Sequence, residues 1–155
     1  FREFFARRRV VHFHSEPDAP YYESGDADGA NGGDLPPFLV ALRAKVAAAL
    51  AMRAEDFVHA LVSEYRPGTP IGWHRDKPVY GIVAGISLAG AGTMRWRPCA
   101  ARDAKHTLAL DLAPRSLYVM RDAILWEWQH SMLPTRVLRY SITLRTRAAP
   151  RTLRG

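Results

Sequence analysis

The sequence predicts a mostly β fold with one covering helix, a β-sandwich or barrel. Three observations carry this. A single stretch with helical spacing of apolar residues ends before residue 57. About seven closely spaced segments of strand character follow it. PG, GAG, AP and LP turn signals separate them, with none of the intervening helices that a Rossmann fold needs. The 155 residues are one domain's worth of chain, 1–155, and 48% hydrophobic residues suffice for a packed core.

Taken in order, Arg9 to His14 (RVVHFH) reads as a short strand, and Glu23 to Pro37 as a loop dense in Gly, Asp and Pro. From Pro37 the spacing turns helical. Phe38, Leu42, Val46 and Ala49 or Leu50 form the apolar stripe, Arg43 and Lys45 lie off it, and the helix is expected to end near Arg53. Phe57–Tyr65, Val79–Leu88, Thr93–Arg97, Thr107–Leu112, Ser116–Met120, Ile124–Gln129 and Val137–Arg147 then read as strands, so the core of the fold is placed at 57–147.

Composition removes several classes of function. The single cysteine, Cys99, excludes an intramolecular disulfide framework and a cysteine-based zinc finger, and fits a reducing, cytoplasmic compartment. The longest uncharged stretch, Pro78 to Met94, is short and glycine-rich for a membrane span, so no membrane association is expected. The start shows no signal-peptide pattern, although Phe1 in place of Met leaves targeting open. Walker A, G-x-G-x-x-G, H-E-x-x-H and G-x-S-x-G patterns are missing. A net charge of +7 favours anionic partners such as nucleic acid without choosing among them, and many basic proteins have no such partner.

Chemistry concentrates in YRPGTPIGWHRD, Tyr65 to Asp76. His74 and Asp76 are two apart, so on an extended chain an imidazole and a carboxylate project from one face and can share a metal. The pattern is weak alone; His14 and Glu16 repeat it. It gains weight from His130 in WEWQHSMLP and from the last strand. That strand sets Arg139, Ser141, Thr143 and Arg145 on one face and Tyr140, Ile142 and Leu144 on the other. Two arginines lining a small cavity demand an anion, and a planar guanidinium suits a carboxylate. Two histidines and one carboxylate with open positions are the ligand set of non-heme Fe(II) oxygenases.

With SEYRPGTPIGWHRD, PRSLYVM, WEWQHSMLP and RYSITLR in this order, the sequence resembles the AlkB-like Fe(II)/2-oxoglutarate dioxygenases from about Phe57 to Arg145, and weakly back to Val10. The resemblance implies a double-stranded β-helix, or jelly roll, in agreement with the strand count. It implies that His74, Asp76 and His130 hold Fe(II), with O2 and 2-oxoglutarate as co-reactants. Arg145 would take the remote carboxylate of 2-oxoglutarate and Arg139 would sit nearer the metal end. Tyr65 would hydrogen-bond the cosubstrate, and Ser63 and Ser141 stand where the family often has asparagine. The implied reaction is oxidative decarboxylation to succinate and CO2 coupled to hydroxylation of a C–H bond. On alkylated nucleobases in DNA or RNA it ends in dealkylation with release of formaldehyde, the chemistry of nucleic-acid repair.

For substrate, the resemblance makes 1–36 an N-terminal strand and lid, with Tyr21 and Tyr22 placed to stack a base and Arg75 and Lys77 beside the metal motif to meet phosphates. Arg2, Arg7, Arg8 and Arg9 are further cations, at least as well read as a solvated face. The chain departs from the repair enzymes after Asp76, where Lys77, Pro78 and Val79 replace acidic residues that help read the base, and the His130-to-Arg139 spacing is tight. Alternatives therefore stay open: the same chemistry on a modified tRNA base, a protein side chain or a small molecule; a non-catalytic nucleic-acid-binding module; or a cupin-like zinc or manganese protein. Elsewhere, His12, His14 and Glu16 imitate a ligand triad but run into a loop. His59 reads better as a packed or hydrogen-bonded histidine than as a ligand, Trp126 and Trp128 as alternating strand residues, and Trp73 as pointing away from the metal.

Overall fold

The computed structural model describes residues 8–15, 29–31, 34–100 and 104–149. Tyr21, Tyr22, Glu16, Arg2 and Arg7 lie outside the described residues. The chain runs β1 (Arg8–His14), β2 (Gly29–Asn31), α1 (Pro37–Ala49), β3 (Phe57–Tyr65), β4 (Ile71–His74), β5 (Tyr80–Ala89), β6 (Gly92–Pro98), β7 (Leu108–Leu112), β8 (Ser116–Arg121), a single helical turn α2 (Ala123–Trp126), β9 (Trp128–Met132) and β10 (Arg139–Arg147). A six-stranded sheet, β2-β1-β3-β10-β5-β8, faces a four-stranded sheet, β4-β9-β6-β7, and every pairing is antiparallel except β1 with β2. This is the jelly-roll architecture, a mostly β sandwich with one covering helix.

The larger sheet is apolar on its outer side because α1 covers it. Leu39, Val46 and Ala47 of α1 pack on Phe57, Ala60, Ala84, Ile86, Ile142 and Leu144. Each large aliphatic side chain buried there contributes roughly 1.5–3 kcal/mol. The inner side packs on the smaller sheet through a second cluster, including Tyr65, Val83, Met94, Trp96, Met120 and Met132. Strand β3 thus buries residues on both faces, which is why FVHALVSEY reads as a nearly continuous run.

Several expectations are corrected. The helix stripe starts at Leu39, and Phe38 is 58% exposed. Pro37 opens the helix where a missing N–H costs nothing, and the helix stops at Ala49, before Ala51 at φ 52. Ile124–Gln129 is not one strand. Asp122, at φ 56, breaks the chain into α2, and β9 starts only at Trp128, so Trp126 and Trp128 do not alternate on a strand. Within the expected loop, Gly29–Asn31 adds β2 to β1. Strand β4 was not foreseen, because Pro70, Gly72 and its brevity mask it. Asp76 lies beyond the end of β4, so simple strand alternation is not what brings it to His74.

Candidate active site

The registers arrange the inner face of the larger sheet as a grid of rows. His14, His59, Arg145, Val83 and Met120 form one row; Leu61, Thr143, Gly85 and Tyr118 the next; then Ser63, Ser141, Ser87 and Ser116; and finally Arg8, Tyr65 and Arg139. The expected alternation of β10 holds, with Ile142 and Leu144 under α1 and the two arginines at opposite ends of the inner face.

At the Arg145 end the two sheets meet over three groups that sequence separates widely. His74 and His130 are register partners across β4 and β9, with ring centroids 4.2 Å apart. His74 Nδ1 lies 2.8 Å from the Gly72 carbonyl oxygen. A carbonyl oxygen can only accept, so Nδ1 is the donor of this bond and Nε2 is the ring nitrogen left to face His130 and Asp76. Asp76 Oδ2 lies 3.5 Å from His130 Nε2, and both side chains are buried. Burial lowers the His130 pKa to about 4, helped by His74 and opposed by Asp76, so the imidazole is neutral at pH 7. Burial pushes Asp76 upward, but Arg145 first and His130 next outweigh it and hold the carboxyl below its ordinary value.

Arg145 donates from Nε and Nη2 to Asp76 Oδ1, at 3.0 and 2.8 Å. Its Nη1 lies 3.3 Å from His59 Nδ1, and His59 Nε2 lies 3.0 Å from His12 Nδ1. A guanidinium can only donate, so His59 accepts at Nδ1 and donates from Nε2 to His12, which fixes its tautomer. Burial first, then Arg145, lowers the His59 pKa to about 2 and keeps the ring neutral. His59 is thus the hydrogen-bonded histidine expected from sequence, and its partner is the site arginine.

The opposite end is built differently. Arg139 is 1% exposed and donates from Nη2 to Ser87 Oγ at 3.2 Å, while its Nε and Nη1 are buried without a hydrogen-bond partner among the described residues. Its guanidinium carbon sits 5.1 Å from the centre of the Tyr65 ring, and that of Arg8 lies 5.6 Å from the same ring. Ser141 Oγ donates to Tyr65 Oη at 3.5 Å, and Ser63 is buried beside them in register. A Cβ on Gly92 would meet Arg139 Nε at 2.9 Å, so that glycine is the floor on which the arginine lies. The resemblance set Arg145 remote from the metal ligands and Arg139 near them. The structure reverses this, because Arg145 is bonded to Asp76 whereas Arg139 lies with Tyr65 and Ser87.

An open cleft of about 1500 Å³ runs beside Asp76 rather than over the two histidines, and Arg75, Lys77, Trp126, Glu127 and Arg147 line it. Arg75 is exposed and donates to the Trp126 carbonyl at 3.2 Å. Trp73 points away from the ligands, as expected, and packs with Arg95 and Arg97. Among the described residues no group of three His, Cys, Asp or Glu side chains stands ready to hold a metal ion. Arg145 takes up Asp76 Oδ1. The donor set nevertheless fits a divalent transition metal, with two imidazoles and a carboxylate. The unpaired buried nitrogens of Arg139 fit an anionic cosubstrate on the same inner face.

A family model for the 2OG-Fe(II) oxygenase superfamily matches residues 3–145. The chain belongs to this superfamily. Members use Fe(II), 2-oxoglutarate and O2 in general. The fold is similar to the structure of OsALKBH1, with a TM-score of 0.59 and 16% identity over 77% of this chain and 69% of that one. This likeness is one of fold, and it agrees with the jelly roll expected from the sequence. The Drosophila melanogaster CENP-C bound to CAL1 is more distant, with a TM-score of 0.45 and 7% identity over 56% of this chain and 63% of that one. No curated protein matches the chain. No helix among the described residues is long and apolar enough to cross a membrane.

Sequence reasoning missed Tyr118, Gly85, Ser87 and the linkage of His59 to Arg145. A glycine inside an otherwise branched strand, VYGIVAGISL, was the available signal, since it marks a close approach by another group.

Proposed function

We propose that this superfamily member removes alkyl groups oxidatively from nucleobases in DNA or RNA, releasing formaldehyde, succinate and CO2. The observation that carries the oxygenase site is the pairing of two unlike ends of the space between the two sheets. His74, Asp76 and His130 converge at one end, and a buried arginine with two unpaired nitrogens waits at the other. His74, Asp76 and His130 would hold Fe(II), which supplies decarboxylation of the 2-oxo acid by O2 and hydroxylation of a nearby C–H bond. Arg139 would hold the remote carboxylate, with Tyr65, Ser63 and Ser141 completing the grip. Arg145 would sit at the keto-acid end, shared with Asp76 and held in line by the neutral His59. The apolar cluster between the sheets would limit water around the cosubstrate chain.

Nucleic acid as substrate is supported by the net charge of +7, by Arg75 and Lys77 on the cleft beside Asp76, and by the AlkB-like sequence pattern. Tyr21 and Tyr22 complete the reading as base-stacking residues. The basic cleft, with Lys77 in place of an acid, favours one second reading: the same chemistry on another substrate, such as a modified tRNA base, a protein side chain or a small molecule.

The test is Fe(II)-dependent succinate formation coupled to loss of methyl from 1-methyladenine or 3-methylcytosine in single-stranded oligonucleotides. Both should vanish in His74→Ala. Activity on a peptide or metabolite, with none on methylated oligonucleotides, would favour the second reading. Turnover unchanged in His74→Ala would remove the catalytic assignment altogether.

A further inference from the structure

Between the two arginines the grid holds an unusual pair. Tyr118 of β8 and Gly85 of β5 are register partners, and Thr143 of β10 flanks Gly85 on its other side. A Cβ at Gly85 would run into the ring and hydroxyl of Tyr118, so the phenol lies flat across the glycine. The ring therefore leans from β8 over β5 toward β10, into the row between Arg145 and Arg139. Trp96 of the smaller sheet braces it edge-on at 6.4 Å. The phenol's row adjoins the Arg145 row on one side and, across the serine row, faces the Arg139 row on the other. Burial raises its pKa, so the hydroxyl stays protonated and available as a donor.

We propose that Tyr118, seated on Gly85, is a specificity-determining residue for the 2-oxo dicarboxylic acid. Its ring walls the passage between the two arginines, and its hydroxyl adds a donor to the carboxylate that Arg139 receives. The inference rests on the reading of this inner face as a 2-oxoglutarate site. The physical reason is spatial. A dicarboxylate joining the Asp76 end to Arg139 must thread its methylenes past the Thr143–Gly85–Tyr118 row. With the ring in place the chain that joins the two carboxylates would have to be short. Without it, a chain one methylene longer can bow into the vacated space. Gly85 is what permits the arrangement, since any side chain there would push the ring into the passage.

The test uses equilibrium binding rather than turnover. Calorimetry on the full chain loaded with Mn(II), a redox-inert stand-in, gives dissociation constants for 2-oxoglutarate and for its one-methylene-longer homologue, 2-oxoadipate. Tyr118→Phe keeps the ring and should weaken 2-oxoglutarate about tenfold, the loss of one hydrogen bond to a charged group. Tyr118→Leu should shift the affinity ratio toward 2-oxoadipate by about tenfold or more, the scale at which pockets sense one methylene. Gly85→Ala should weaken both acids, and Tyr118→Leu should restore binding in the double variant. The ratio of the two affinities is insensitive to how much protein is folded, so a merely structural role of the ring would not move it. Wild-type binding of 2-oxoglutarate with both Tyr118 variants within twofold of it in affinity and ratio would overturn this inference and leave the site reading standing. Failure of the wild type to bind 2-oxoglutarate at all would overturn the site reading and this inference with it.

Discussion

The two ends of the inner sheet face solve the same electrostatic problem in opposite ways. At one end Arg145 is buried but fully engaged, by Asp76, His59 and the face of Tyr80, 5.1 Å from its guanidinium carbon. At the other end Arg139 is buried more deeply and has one neutral hydroxyl for a hydrogen-bond partner. A buried charge is tolerated when it is paired and costs stability when it is not. The Arg145 end is therefore a self-satisfied scaffold that orients a carboxylate. The Arg139 end holds unspent attraction for an anion. On the proposed reading, the difference separates the part of the site that carries the fold from the part that would carry ligand affinity.

The sharpest way to break this contrast is to remove charges singly. Asp76→Ala strips Arg145 of its carboxylate, and urea unfolding should show a loss of about 3–5 kcal/mol, as for one partner of a buried pair. Succinate formation should fall to background in the same variant. Arg139→Met should do the reverse. The protein without ligand should be as stable as wild type or more so, because an unpaired charge is replaced by apolar volume. Its affinity for 2-oxoglutarate, read by calorimetry, should fall by about ten- to a hundredfold, the worth of a charge-assisted bond. A loss of stability in Arg139→Met equal to that in Asp76→Ala would erase the distinction between the ends.

A smaller effect comes from acid. His59 titrates at about 2 when folded and near 6.5 when unfolded, so below pH 6.5 only the unfolded chain takes up its proton. The stability it contributes is complete above pH 6.5 and is lost as pH falls from there toward 2, at up to about 1.4 kcal/mol per pH unit. Between pH 6.5 and 5 the unfolding free energy of His59→Asn should fall less steeply than that of wild type by up to this slope. The smallest effect concerns the hydroxyl under Arg139. Ser87→Ala removes its acceptor and should weaken 2-oxoglutarate binding only a few-fold, about 1 kcal/mol, with the fold unchanged.

Much of this was legible in the sequence where side-chain period and chemistry coincide. RYSITLR announced its two faces because strand alternation is rigid, and the inner face of β10 carries the residues expected of it. His74, Asp76 and His130 could be named because the motifs around them stand in the order of a known family, although the local geometry that joins them is not an extended chain. The order of the arginines was illegible. It depends on which end of β10 lies over Asp76, and that is set by the packing of two sheets rather than by any local pattern. ILWEWQ misled for a related reason: its apolar residues suit a strand or a buried turn equally, and the backbone at Asp122 decides. Tyr118 stayed hidden because its meaning comes from a glycine more than thirty positions away.

The central claim is that one end of this face holds iron and the other the remote carboxylate of a 2-oxo acid. It is tested most directly by adding 2-oxoglutarate to the anaerobic Fe(II) protein and recording the visible spectrum. A weak charge-transfer band should appear only with both added, be absent in Asp76→Ala, and require far more 2-oxoglutarate in Arg139→Met. A wild-type protein that gives no band at any loading of iron and 2-oxoglutarate would contradict it.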